Sequence, residues 1–246
     1  MKRIIAIMSV LLSIVSVSAQ KAVDWRDLLT IVDGNNCTVY YDRESRKPLK
    51  GDYRIKRGHN VEMVTLKNGI IDGDYNRYRN GELRESGKYV KGKREGMFTE
   101  YYGGGVVKKK TPMANGKIDG TVIGYFRNGN IASKKEYRMG VEHGVEQHYD
   151  NTTNEQVFQT NYIDGKKEGE EWEIADNGND THSRIVRHYK NGVLNGVYTN
   201  ELTRNGKLYY TIEGKYSNGE KTGQWIEHNY DTDSVITTYY NGEGGA

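Results

Sequence analysis

Six histidines and one cysteine are the side chains of this chain that could support metal binding or nucleophilic catalysis. The histidines are His59, His143, His148, His182, His188 and His228. His143 and His148 are an odd number of residues apart, so a regular strand would direct them to opposite faces. His182 and His188 share one face but would lie about 20 Å apart along an extended strand. No carboxylate stands at zinc-ligand spacing beside either pair, so the sequence predicts solvated histidines and no metal site.

The lone cysteine and the scattered carboxylates suggest two further kinds of chemistry. Cys37 could act as a nucleophile with His59 as its base, but a single cysteine near an N-terminal strand is more often a small buried hydrophobic residue. Acidic residues alternate with lysines, as in Lys166–Glu168 and Glu170–Glu171, which is typical of the solvated face of a strand. Opposed carboxylates from distant parts of the chain, as in a glycosidase, are the alternative. The sequence favours a protein that is not an enzyme and that uses no cofactor.

Tyrosine is the aromatic residue that this chain uses most, with 20 tyrosines against 3 phenylalanines. Tyrosine can pack one side of its ring while the hydroxyl group stays hydrated. Four of these residues recur at one place in successive stretches of sequence, namely Tyr78, Tyr101, Tyr125 and Tyr149. One interpretation is a half-buried aromatic ladder that holds neighbouring strands together. The other is a partner-binding face for a peptide, a glycan or a headgroup, because tyrosine offers contact area at low entropic cost.

Pairs of glycines four residues apart mark the elements that must position those tyrosines. The seven pairs are Gly69 and Gly73, Gly92 and Gly96, Gly116 and Gly120, Gly140 and Gly144, Gly165 and Gly169, Gly192 and Gly196, and Gly219 and Gly223. Successive first glycines are 23 to 27 residues apart, and Gly242 opens an eighth unit. Gly51 fits the second glycine of a diverged unit before the first pair. A period of this length indicates a repeat architecture of about eight units.

Turn signals divide each unit into two strands. Asn-Gly dipeptides favour type I′ hairpin turns because both central residues of such a turn need positive φ. Asn68-Gly69 and Asn80-Gly81 are two such turns, and strand-length sequence lies between them. A large residue stands three positions before each first glycine and predicts one core row: Leu66, Tyr89, Met113, Tyr137, Tyr162, Tyr189, Tyr216 and Tyr239. The chain is therefore expected to be all-β, an elongated antiparallel array of β-hairpins.

The aromatic residues that follow the second glycines leave one point open. They recur two and five residues after that glycine, as Tyr75 and Tyr78 do in the first unit. Because the two offsets differ in parity, either both faces of the sheet carry aromatic residues or a bulge lies between them. Glu146 and Glu171 take the two-residue offset in the fourth and fifth units, where the pattern is irregular.

The chain divides into three segments at the level of sequence. Residues 1–19 have a short basic start, an apolar run and small residues before the expected cut, which is typical of a secretory signal peptide without a lipoprotein cysteine. Residues 20–45 form an N-terminal cap segment, and the apolar spacing within 22–32 predicts a short helix there. Residues 46–246 contain the repeats. We expect an exported protein, either periplasmic, on the outer surface or secreted.

Charge argues against one class of partner. The chain has 36 basic and 33 acidic residues, a formal net charge of +3, and Lys2 and Arg3 lie in the signal segment. The remaining charges nearly cancel, so no strong field draws nucleic acid to the molecule as a whole. Lys108–Lys110 is the cluster that would contact anionic lipid, although the overall balance does not indicate membrane contact.

The repeat unit resembles a known family. Asn115–Gly120 with Tyr125–Gly129, and likewise Lys190–Tyr198, follow the pattern of an aromatic residue, Asn-Gly, three residues, glycine and an aromatic strand. This pattern is similar to the bacterial variant of the MORN repeat over residues 45–242. The resemblance implies a single-sheet or spiral array of β-hairpins used as a binding or scaffolding surface. Bacterial proteins of this kind are often described as YwqK-family antitoxins.

Together these observations predict a non-enzymatic, exported repeat protein that serves as a protein-binding or scaffolding surface of the bacterial envelope. The expected partner is another protein, bound through the face that carries the four recurring tyrosines. An antitoxin-like inhibitor of a partner toxin is the first alternative, and it follows from the resemblance alone. Membrane-surface or glycan binding through the tyrosine-rich face is the second.

Overall fold

The computed structural model describes residues 20–241. These residues form a single sheet of 22 strands with two short 3₁₀ turns. The predicted all-β fold and elongated hairpin array are confirmed. The predicted signal peptide, residues 1–19, lies outside the described range. Within that range the structure contains no helix with the length and apolar character needed to span a membrane.

The strands follow one another along the chain with short turns between them. The first eight are β1 (Lys21–Asp24), β2 (Leu28–Val32), β3 (Thr38–Asp42), β4 (Gly51–Arg57), β5 (Asn60–Lys67), β6 (Ile70–Arg79), β7 (Glu82–Val90) and β8 (Lys93–Tyr101). The next eight are β9 (Val107–Ala114), β10 (Lys117–Ile118), β11 (Gly120–Tyr125), β12 (Ile131–Arg138), β13 (Val141–Tyr149), β14 (Gln156–Ile163), β15 (Lys166–Lys167) and β16 (Gly169–Gly178). The last six are β17 (Thr181–Lys190), β18 (Val193–Leu194), β19 (Gly196–Arg204), β20 (Lys207–Ser217), β21 (Glu220–Asn229) and β22 (Ser234–Asn241). The 3₁₀ turns are Trp25–Asp27 and Gly103–Gly105.

The sheet is open and its two ends differ. From β4 onward each full-length strand pairs antiparallel with the next one, and the short strands β10, β15 and β18 lie just before β11, β16 and β19. β1 pairs in parallel with β4 at one end, and β22 pairs with β21 at the other. β2 and β3 form a separate hairpin that joins the sheet through one pairing, between Val39 and Ile70.

The helix predicted within residues 22–32 is wrong, because this segment forms β1, a 3₁₀ turn and β2. β2 has the sequence Leu-Leu-Thr-Ile-Val, whose β-branched residues favour a strand. β3 supplies the backbone partners of β2, with Ile31 opposite Val39. The helix-like spacing arises because Trp25 and Leu28 both pack in the core, one from the 3₁₀ turn and the other from the start of β2.

Stacked type I′ turns join the units. Each first glycine and the residue before it have positive φ, as in Asn68 and Gly69. The N–H group of each first glycine donates to a carbonyl of the preceding unit at 2.7–2.9 Å. For Gly92 the acceptor is the carbonyl of Ile71. Because this bond recurs at every boundary between the seven glycine pairs, the glycine period is the period of the stack.

The second glycine of each unit lies directly opposite the core row. Its φ is positive in all seven pairs, a conformation that favours glycine. The partners are Gly51 and Leu66, Gly73 and Tyr89, Gly96 and Met113, Gly120 and Tyr137, Gly144 and Tyr162, Gly169 and Tyr189, and Gly196 and Tyr216. In the last unit Gly223 pairs with Tyr240, whose ring contacts Trp225. The prediction of Tyr239 for this row is therefore wrong by one residue.

We call the side of the sheet that carries this row the core face. Its N-terminal part packs against the β2–β3 hairpin in a hydrophobic cluster of Leu28, Tyr40, Leu49, Tyr53, Ile55, Val64, Leu66, Ile71, Tyr75 and Phe98. Its C-terminal part holds a smaller aromatic cluster of Tyr198, Tyr216, Trp225 and Tyr240. Between the two clusters the core row keeps its tyrosines, while the two-residue offset carries Val122, Glu146 and Glu171. Apolar packing thus dominates at the two ends of the array, and ion pairs join the tyrosines in its middle.

The turn at Met139 allows a test of the turn chemistry. Met139 has a φ of 49°, and Asn115 holds the same position one unit earlier with a φ of 51°. In both turns a carboxylate of the preceding unit accepts from the backbone N–H group of this residue. We expect Met139→Asn to raise the free energy of unfolding by about 1 kcal/mol, because asparagine tolerates left-handed backbone better than methionine does. The reverse change, Asn115→Met, should lower it by a similar amount in urea denaturation. A Met139→Asn variant less stable than the parent chain would contradict this explanation.

Candidate functional site

The four recurring tyrosines lie on the side of the sheet opposite the core face. Tyr101 shows this placement most directly. Its hydroxyl group is 3.0 Å from the Oγ of Ser86, which pairs with Thr99, whereas Phe98 of the same strand packs in the core cluster. We call this side the tyrosine face and define it by Tyr78, Tyr101, Tyr125 and Tyr149. All four rings are half-buried.

A β-bulge accompanies each tyrosine of this face. The register with the following strand shifts at Tyr78, Tyr101, Tyr125 and Tyr149. The extra residues on the facing strands are Arg84, Lys108, Ala132 and Val157. Bulges increase the local twist and change the direction of side chains. Of the two alternatives that the parity of the aromatic offsets left open, the first therefore holds: both faces of the sheet carry aromatic residues. The extra residue of each bulge lies on the facing strand and not between the two offsets.

Lysines lie over two of these rings in the same relation. The Nζ of Lys110 is 5.9 Å from the ring centroid of Tyr125, and the Nζ of Lys134 is 5.6 Å from that of Tyr149. Lys134 follows Lys110 by 24 residues, and Tyr149 follows Tyr125 by the same number. The lysine–tyrosine pair therefore repeats from one unit to the next. Among the described residues, neither ammonium group forms an ion pair with a carboxylate. This face presents positive charge beside aromatic rings.

On the core face, by contrast, the cations of the middle units are neutralised within the sheet, whereas Lys221 near the C-terminal end lies over the rings of Trp225 and Tyr240. Arg77 and Arg94 both pair with the buried carboxylate of Glu85, at 3.2 and 2.8 Å. Lys109 pairs with Glu100 at 2.6 Å. The basic run Lys108–Lys110 is therefore not one cluster, because Lys109 lies on the core face and Lys110 on the tyrosine face.

Lys135 joins two glutamates in the middle of the core face. Its Nζ lies 2.6 Å from Glu142 and 2.9 Å from Glu146, the residue at the aromatic offset of the fourth unit. Burial opposes the charge of Lys135, but hydrogen bonds to both glutamates raise its pKa above the ordinary value. Burial and the charge of Glu146 raise the pKa of Tyr162 to about 12. The lysine stays charged and the tyrosine stays protonated across the physiological range.

Glu171 contradicts the prediction that Glu170–Glu171 lie on a solvated face. Glu171 is 2% exposed, whereas the side chain of Glu170 is 54% exposed. The alternation of the strand turns the two residues to opposite sides. Arg187 pairs with Glu171 at 3.2 Å, Lys167 also pairs with it, and the Tyr189 hydroxyl group donates to it at 3.3 Å. These donors replace the water that the buried carboxylate loses.

Two cavities open on the core face. One of about 300 Å³ lies beside the N-terminal hairpin, and its walls include Trp25, Tyr40, Arg57 and Glu62. The other, of about 390 Å³, lies over the middle units, and its walls include Glu85, Arg94, Lys109 and Lys135. Arg94, Lys109 and Lys135 in the walls of the second cavity are the ion-paired cations described above. Their charges are already compensated, which leaves the tyrosine face as the stronger candidate for an anionic partner.

Glu62 in the first cavity provides a test of burial. Burial raises the pKa of this carboxyl group, although the Tyr75 hydroxyl group donates to it at 3.4 Å. A raised folded-state pKa means that the contribution to stability is fully present below the unfolded value of 4.5 and is lost as the pH rises through the folded value. We expect Glu62→Gln to stabilise the protein at pH 7 and to have no effect near pH 4. Urea denaturation at the two pH values, with the exposed Glu44→Gln as control, measures this difference; an equal effect at both would contradict it.

Cys37, His143 and His148 are among the residues considered first for metal binding and nucleophilic chemistry. Within residues 20–241 no group of three or more histidine, cysteine, aspartate or glutamate side chains is placed to hold a metal ion. Cys37 is buried, and its thiol lies 3.6 Å from the carbonyl oxygen of Lys91. His148 contacts the carboxylate of Glu146 at 2.8 Å, and His143 contacts Arg138. Each of these groups has a local partner in the sheet.

Lys134 is the member of the tyrosine face that sequence reasoning missed. The sequence did carry a signal for it, because Lys134 follows Lys110 by 24 residues, which lies within the 23-to-27-residue period of the glycine pairs. Comparisons with known proteins find neither a protein-family model that matches this chain nor a curated protein that matches it. The resemblance to the bacterial MORN-repeat variant stays a prediction that rests on the repeat units.

Proposed function

We propose that this chain is a non-enzymatic binding protein whose tyrosine face holds an acidic segment of another protein. One observation carries the proposal: Lys110 and Lys134 lie over tyrosine rings without a carboxylate partner among the described residues, while Lys109 and Lys135 of the core face are ion-paired. Charge complementarity favours an anionic partner at such a surface. The composition of residues 1–19 supports export, so the partner would be met outside the cytoplasm.

The spacing of the repeat favours an extended segment. Equivalent positions in neighbouring units are two strand spacings apart, about 10 Å. Three residues of an extended chain span about 10 Å, and one turn of a polyproline II helix spans about 9 Å. A segment that crosses the strands would bring every third side chain to a successive tyrosine. Acidic side chains at those positions would reach Lys110 and Lys134.

A peptide experiment tests this proposal. The probe is a labelled, proline-rich peptide with glutamate at every third position, and its matched control carries lysine at the same positions. We expect the glutamate peptide to bind in fluorescence anisotropy and the lysine peptide not to bind. Replacing Tyr101, Tyr125 and Tyr149 together by serine should weaken the binding by about 100-fold, because aromatic anchors dominate such interfaces.

The control variant is Tyr137→Ser, which removes a tyrosine from the core face of the same units. It should leave the affinity unchanged, and circular dichroism should show that both variants keep the sheet. Equal binding of the two peptides, or full binding by the triple variant, would contradict the proposal.

A further inference from the structure

The two edge strands of the described sheet, β1 and β22, differ in length and in charge. β1 has four residues, and two of them, Lys21 and Asp24, are charged. β22 has eight residues, Ser234–Asn241, and all of them are uncharged and exposed. Short, charged edge strands resist pairing with other chains, whereas long, uncharged edge strands promote it. β22 is therefore the end of this sheet that is suited to pairing.

β22 presents apolar side chains along a formed strand. Val235, Ile236 and Tyr239 are 57, 60 and 72% exposed. The inner edge of β22 pairs with β21 over its whole length, from Ser234 to Asn241. No described strand pairs with its outer edge. Valine, isoleucine, threonine and tyrosine are residues that favour strands, so this edge is ordered before any partner arrives.

We propose that the outer edge of β22 pairs antiparallel with β22 of a second copy of this chain. A two-fold axis normal to the sheet at Thr237 would place Thr237 opposite its own copy. Val235 would then face Tyr239 of the second copy, and Ile236 would face Thr238 of the second copy. Pairs of β-branched residues with each other or with an aromatic residue are favourable across strands.

β22 carries no charged residue, and this favours a second copy of the chain as the partner of its outer edge. In a two-fold contact every residue meets the same short set of residues, so a charged strand would meet its own charge. With no charge on the strand, this contact has no like-charge repulsion. The same symmetry closes the contact, so the product is a dimer and not a filament.

Charge complementation at Thr237 tests this contact. An interface of one strand is small, so we expect the full chain to pass from monomer to dimer between about 1 and 100 μM in sedimentation velocity. Thr237→Lys and Thr237→Glu should each remain monomeric over this range, because like charges meet at the axis. An equimolar mixture of the two variants should regain the doubled mass. Val197→Lys, at a position 44% exposed on β19, is the matched control and should dimerise as the parent chain does.

Any of the following results would overturn the proposed contact between two copies of β22. A parent chain that stays monomeric at 100 μM has no such contact, and a parent chain that forms larger species lacks the two-fold closure. A Thr237→Lys variant that dimerises like the parent chain places the contact elsewhere. A mixture that stays monomeric, while both variants show the circular dichroism of the sheet, excludes pairing around Thr237.

Discussion

Replacing Glu171 with alanine is expected to lower the free energy of unfolding by about 3 kcal/mol. The carboxylate is 2% exposed and is the shared partner of Lys167 and Arg187. Its removal leaves Lys167 without a carboxylate partner among the described residues, leaves Arg187 with Glu173 alone, and leaves the Tyr189 hydroxyl group without its acceptor. Loss of one partner from a buried ion pair costs more than the pair contributes, because the other charge stays desolvated.

The matched control is Glu170→Ala, in the adjacent residue on the opposite face. The side chain of Glu170 is 54% exposed and lies 3.8 Å from His188, so its loss should change the free energy of unfolding by less than about 0.5 kcal/mol. Urea denaturation followed by circular dichroism measures both variants. Equal, small losses would show that the ion cluster does not stabilise the middle of the array.

Replacing Gly214 with alanine is expected to cost a further large amount, about 3 kcal/mol. A Cβ atom on this residue would lie 2.2 Å from Cδ2 of Trp225, a buried ring in the C-terminal aromatic cluster. The φ of Gly214 is not in the left-handed region, so the cost comes from overlap with the indole ring and not from backbone strain. The ring cannot move freely because Tyr198, Tyr216 and Tyr240 surround it.

Gly34→Ala is the control for this substitution. No atom lies within 4 Å of a Cβ placed there, and its φ is also outside the left-handed region, so we expect a change below about 0.5 kcal/mol. A second variant, Trp225→Val, should relieve the overlap, so that Gly214→Ala costs less in its presence than in the parent chain. Additive losses in the double variant would mean that the two residues do not compete for the same space.

The parts of the fold that the sequence predicts are those set by local conformation. Type I′ turns at Asn68-Gly69 and its repeats need positive φ at two adjacent residues, which Asn-Gly supplies without tertiary help. The turns at Met139 and Lys91 adopt the same geometry with other residues, and the period alone identifies them. The regular spacing of the glycines therefore predicts the strand pairing over the whole array.

The parts that the sequence does not predict depend on neighbours in the sheet. Leu28 and Trp25 have helical spacing, but the segment that begins at Leu28 forms a strand because it pairs with β3. Tyr239 and Tyr240 are adjacent tyrosines, and the register with Gly223 decides which one joins the core row. Glu171 is buried because Arg187 stands opposite it on the next strand, a partner that no local pattern reveals.

The tyrosine face was predictable in its residues but not in its chemistry. The recurrence of tyrosine at one offset identifies Tyr101, Tyr125 and Tyr149, while the bulge at each of them is a property of strand pairing. The difference between a paired and an unpaired lysine also depends on which side of the sheet each side chain takes. Lys109 and Lys110 are neighbours in sequence and opposite in environment for that reason.

The affinity of the glutamate peptide for two single variants, Lys110→Ser and Lys109→Ser, is the most direct measurement of the proposed binding face. Loss of the unpaired Lys110 should weaken the binding by about fivefold and reduce its dependence on salt. Loss of Lys109, which pairs with Glu100 on the core face, should leave the affinity unchanged. Equal effects of the two substitutions, or a larger effect at Lys109, would show that the tyrosine face is not where an acidic partner binds.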